Sequence, residues 1–148
     1  MLAVVVVAVA AFMAFSTVVG LTTFYGGFVF VFYYTGVCQA APGTFLPAVV
    51  GAFVGLALAF GLVALPAALG GAGRAVALIL LLVAIYALIM GWATVAINNA
   101  AMLFLTVASI PALNQTATIV QMALSAGLAM VLIGVVLGAA RVRGPKAA

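Results

Sequence analysis

Across 148 residues the chain is 71% hydrophobic and 3% charged, with four Lys or Arg and no Asp, Glu or His, and its mean hydropathy is +1.61. Soluble domains carry about 25% charged residues, and exposed apolar patches beyond a few hundred Å² already invite association, so the bilayer is the expected solvent and 1–148 a single membrane domain. General acid–base catalysis leans on His and carboxylates, zinc on Cys, His or carboxylates and calcium usually on carboxylates, and proton relays on Asp, Glu and His. The composition therefore argues against an enzyme, a metal site or a proton-coupled pump.

In chain order, the first apolar run covers 1–34. At about 1.5 Å per residue it is too long for one upright helix, so it either tilts and protrudes or breaks near Gly20 or Gly26-Gly27. Phe24, Phe28 and Phe32 share a helical face, and Tyr25, Tyr33 and Tyr34 suit the headgroup level. Residues 35–43 read as a turn punctuated by Pro42-Gly43. A second span is expected over 44–69, with Thr44 as its cap and Pro66 near its end.

Leu69-Gly-Gly-Ala-Gly-Arg74 is the hinge of a helical hairpin, and a third span is expected over 75–97. Asn98-Asn99 marks its exit. Residues 100–110 are apolar again but too short to cross. No orientation about a helix axis hides all of Met102, Leu103, Phe104, Leu105 and Val107 from water, so the segment is expected to be helical and covered by the first run, a re-entrant fold or a partner. A fourth span is expected over 117–140, closed by the basic tail 141–148.

The expected fold is thus an all-α integral membrane protein: a bundle of four transmembrane helices with an extra apolar segment after the third. Both termini and Arg74 then share one face, with Cys38 and Asn114 opposite, and the positive-inside rule makes the charged face cytoplasmic, matrix or stromal. A bacterial cytoplasmic membrane or an organelle inner membrane is the expected location.

Small residues mark candidate helix contacts. Gly51, Gly55 and Ala59 recur along the second span, Gly91 sits in the third, and Gly127, Gly134 and Gly138 lie on one face of the fourth. In lipid such residues matter because they let backbones approach; packing within the chain is the simpler expectation, contact with a partner helix the sharper one. Thr94 and Asn98 share a face and are expected to bond a neighbouring helix or mark an end. Arg74, Arg141 and Arg143 are candidate contacts for anionic lipid headgroups. Asn114-Gln-Thr116 matches a glycosylation acceptor but reads as incidental. Cys38, the lone thiol, has no internal disulfide partner.

No cofactor is expected on the chain's own side chains, although lipid can bind, and the basic residues are too few for nucleic acid. The expected role is a non-catalytic accessory subunit that packs and stabilises neighbouring subunits and lipids in a larger membrane complex. The alternative is a homo-oligomeric pore or carrier for a small neutral or apolar solute.

Overall fold

The computed structural model describes residue 10 and residues 12–142, with side chains to residue 139. Among these residues the chain is helical without strands. The helices are α1 (12–18), α2 (Tyr25–Phe32), α3 (Phe45–Ile89), α4 (Asn99–Ala108) and α5 (Thr116–Val142). A π-helical turn, Tyr33–Val37, prolongs α2, and a 3-10 turn, Pro42–Thr44, leads into α3. Two helices are long and apolar enough to be candidates for crossing a membrane, one within Pro42–Ile89 and one within Thr116–Ala139.

The hinge forms where the glycines allow it. Gly70 adopts φ +59, ψ −132, a conformation that L side chains avoid, and it divides α3 into a first arm (45–69) and a second arm (71–89). The arms fold back on each other. A Cβ on Gly73 would strike the Leu65 carbonyl, and a void of about 50 Å³ lies between Leu58, Gly61 and Leu65 on one arm and Ala77, Leu80 and Leu81 on the other.

α5 runs antiparallel to the first arm, with Gly127 beside the Phe53 ring and Gly134 beside the Phe45 ring. Its C-terminal end therefore lies at the Thr44 end of the molecule, and the Gly70–Arg74 hinge at the other. α2 runs alongside α5 in the same direction: Gly26 meets Met122 near its start, while the Phe30 and Tyr34 rings reach Phe45 at 6.2 and 5.4 Å.

Two stretches depart from the linear expectation. The run 1–34 is not one continuous helix, because α1 ends at Gly20 (φ +79) and α2 doubles back along it. The Phe12 ring lies against Gly27 and edge-on to Phe28 at 5.6 Å. Residues 1–9 and 11 of that expected span lie outside the described residues. The segment 100–110 is helical as expected, but it re-enters the protein. Asn98 sits beside Pro47, Gly55 faces Ala101 and Leu105, and Leu62 shares a groove with Leu105 and Ser109. α4 thus descends along the first arm towards the hinge end, antiparallel to the second arm.

That descent corrects the charge placement. The backbone of Arg141, in the last turn of α5, lies at the end opposite Arg74 because 99–108 carries the chain back across the molecule before α5 begins. Residues 143–148 lie outside the described residues.

The core gathers where the short helices meet the long ones. Phe30, Phe104 and Met122 are wholly buried, with Ala52, Ala59, Ala100, Ala101 and Ala108 between them. Alanines let helices approach closely while the aromatic rings fill the remaining space. The periphery is the reverse, with large aliphatic residues along the second arm and α5 left uncovered.

Candidate functional site

The most highly determined place in the fold is the entry of α4. Asn98 is extended (φ −143, ψ −176) and caps the helix: its Oδ1 accepts from the Ala100 and Ala101 N–H groups at 2.9 and 3.3 Å. These are donors that a helix N-terminus cannot satisfy by itself. Its Nδ2 donates to the Pro47 carbonyl at 2.8 Å and to the Thr94 and Val95 carbonyls at 3.1 Å each. One amide therefore ties together α4, the first arm and the link that follows the second arm. Gly51 makes this fit possible, because a Cβ there would collide with the Asn98 amide. Gly55 does the same one turn on, where a Cβ would meet the Ala101 carbonyl and lie 3.0 Å from the Leu105 nitrogen. Ala59 is fully buried on the same face.

The other small residues divide differently. Gly91 is not at a close helix contact: it has φ +67 and open space around its α-carbon, and it ends the second arm. Gly127 and Gly134 have only ring atoms at 3.9 and 3.7 Å, and nothing lies within 4 Å of a Cβ on Gly138. The expected contact face on α5 is thus covered loosely by Phe53 and Phe45 at two positions and left open at the third. Arg74 is exposed just past the hinge. The Arg141 side chain and Arg143 lie outside the described residues.

Sequence reasoning missed a second close approach. A Cβ on Gly26 would collide with the Met122 carbonyl, and one on Gly27 would lie 2.9 Å from the Ser125 carbonyl. The Gly27 N–H donates to Ser125 Oγ at 3.2 Å, and that hydroxyl donates in turn to the Met122 carbonyl at 3.1 Å. The adjacent glycine pair was the available signal, though read as a place to break rather than to dock. Ser125 carried none, since one hydroxyl in an apolar run has no periodicity.

The hydroxyls engaged in the interior are held by backbone carbonyls. Ser16 donates to Phe12 at 2.7 Å, and Tyr34 donates to Ala41 at 3.1 Å. Such bonds satisfy buried donors. Thr23 Oγ1 and Asn114 Oδ1 are buried without a hydrogen-bond partner, so the amide of the Asn114 acceptor motif is turned inward. Cys38 is a half-buried free thiol.

An apolar groove of about 400 Å³ runs between the second arm and α4, bounded by Leu62, Leu81, Ile85, Met102, Leu105 and Ile110 with the Thr106 and Ser109 side chains. No charged side chain lines it. No protein-family model matches this chain, and no curated protein or solved structure matches it.

Proposed function

We propose that the chain is an integral membrane protein without covalent chemistry of its own, serving as an accessory subunit that packs against neighbouring subunits and lipids in a larger membrane assembly. The observation that carries this reading is the outer surface of the second arm. Leu78, Ile79, Leu82, Val83, Tyr86 and Ile89 are all exposed, while Ala77, Ala84 and Ala87 face inward. Water would not tolerate so continuous an apolar wall; acyl chains or another subunit's helices would. The argument from an uncovered 100–110 segment falls away, because the chain covers that segment itself.

In this reading the two arms of α3 and α5 cross the bilayer, and the apolar run that precedes Gly20 is the remaining candidate span. The short helices α2 and α4 fold back between them. Each buries one face against the long helices, α2 through Gly26, Gly27 and Phe30 and α4 through Ala101, Phe104 and Leu105. Arg141 then lies on one side, followed in sequence by Arg143 and Lys146, and Arg74 on the other. Three basic residues against one favour a cytoplasmic, matrix or stromal tail. A bacterial cytoplasmic membrane or an organelle inner membrane fits this arrangement.

The test is extraction from native membranes in mild detergent, followed by sizing and mass spectrometry of what co-migrates. A stoichiometric heteromeric complex supports the proposal; a monomer or a uniform ring of this chain refutes it. The uncharged groove beside α4 favours a second reading, a pore or carrier for a small neutral or apolar solute, for which the ring would be the expected result.

A further inference from the structure

We propose that the chain is two inverted copies of one three-helix unit, held in different conformations, and that the copies exchange those conformations across the membrane. The first copy is α1, α2 and the first arm; the second is the second arm, α4 and α5. This is independent of whether other subunits surround the chain.

One offset, 71 residues, relates features that have no other reason to coincide. Gly20 and Gly91 both have positive φ, +79 and +67. Each ends its helix with the same hydrogen bonds. Gly20 N–H donates to Thr17 at 3.0 Å and Leu21 N–H to Ser16 at 2.9 Å; Gly91 N–H donates to Leu88 at 3.1 Å and Trp92 N–H to Ala87 at 2.8 Å. That pattern is a Schellman cap, built twice. The Thr35 hydroxyl donates to the Val31 carbonyl at 2.6 Å, and its counterpart Thr106 donates to Met102 at 2.7 Å. The long third helices begin at Phe45 and Thr116, again 71 apart.

Burial follows the same offset. Phe30, Tyr33 and Tyr34 correspond to Ala101, Phe104 and Leu105, all buried. Ala48, Gly51, Gly55 and Ala59 correspond to Ile119, Met122, Ala126 and Met130, also all buried. The contacts between copies correspond too. Gly26 and Gly27 dock on Met122 and Ser125, and Asn98, the counterpart of Gly27, docks on Gly51, the counterpart of Met122. Each short helix therefore lies on the long third helix of the other copy. Few of these paired residues are identical, so the repeat is one of geometry.

The copies run in opposite senses, because three segments of alternating direction separate each element from its counterpart. Inverted repeats with interrupted helices are a recurrent construction of membrane carriers, whose halves rock against each other about a pseudo-two-fold axis in the membrane plane. For exchange to occur the halves must differ, and they do. In the first copy Phe12 closes on the short helix and is 7% exposed, whereas its counterpart Val83 is 58% exposed, and the groove of about 400 Å³ separates the second arm from α4. Residues Tyr33–Val37 form a π-helical turn, while their counterparts, 104–108, stay α-helical within α4. Such π segments are frequently found at functional sites. Exchange closes the groove beside α4 and opens its inverted image beside α2, towards the other face of the membrane. The lining restricts any passenger to an uncharged, largely apolar molecule.

Paired spin labels on the full chain in liposomes test this. Ala14→Cys with Thr35→Cys, and Ile85→Cys with Thr106→Cys, in a Cys38→Ser background, are counterpart pairs across the closed and open gaps. Exchange predicts two separations for each pair, with populations that shift in opposite directions as lipid composition changes. One unvarying separation per pair overturns it. Amide exchange on the unmodified chain gives an independent reading. Segment 104–108 should be less protected than 99–103 of the same helix, since it spends time in the π form; full protection at 104–108 beside rapid exchange at 33–37 overturns the proposal.

Discussion

Gly55→Ala, read against Gly138→Ala, isolates what the glycines do. A methyl at 55 would collide with the Ala101 carbonyl and lie 2.9 Å from the Ala101 carbonyl carbon and 3.0 Å from the Leu105 nitrogen. All three obstacles are backbone atoms of α4, so none can swing aside as a side-chain tip could, and α4 must move away with the buried Phe104. Overpacking of this kind costs roughly 1–3 kcal/mol, offset by the ~0.5–1 kcal/mol that alanine returns in helix propensity. At Gly138 a new Cβ meets nothing within 4 Å, so only the propensity gain of about 0.5–1 kcal/mol remains. The variants should move in opposite directions in thermal unfolding followed by size exclusion in mild detergent, Gly55→Ala downward and Gly138→Ala unchanged or upward. If Gly55→Ala were as heat-resistant as the parent, or Gly138→Ala fell equally far, the docking of α4 on the first arm would be wrong.

Asn98→Ala should destabilise by roughly 1–3 kcal/mol, because it removes both a helix cap and the bond to Pro47; a thermal melt indistinguishable from the parent would contradict the clamp. Phe104→Glu, at a position wholly enclosed, should abolish accumulation of folded protein, Leu103→Glu should impair it less, and Ala148→Glu should have no effect; equal yields would mean that α4 is not a core helix. Gly20→Ala and Gly91→Ala should each cost about 1–2 kcal/mol through positive φ alone, since neither has a neighbour within 4 Å; unequal melting shifts would count against equivalent caps. A membrane-impermeant thiol reagent should reach Cys38 from the side that bears Arg141, and labelling only from the side opposite Arg141 would restore the linear four-span topology.

The hinge was legible because it is marked in the chain: three glycines and Arg74 interrupt two apolar runs, and a reversal at a membrane boundary recruits such residues. The turn at Pro42-Gly43 was legible for the same reason. The role of Gly51 and Gly55 as a groove was half legible, since their spacing declared a close contact but not its occupant. Only the tertiary structure decided that the occupant is α4, and hence that Arg74 and the backbone of Arg141 lie at opposite ends. The reversals at Gly20 and between Gly91 and Asn98 carry no charge and little polarity. Their backbone groups are met by capping bonds such as those from Leu21 to Ser16 and from Trp92 to Ala87, so no polar side chain is needed to mark the turn. Hydropathy records which atoms can face lipid. It does not record which way the chain is travelling, and so 21–34 and 100–110 looked like surplus length when they fold back against the long helices.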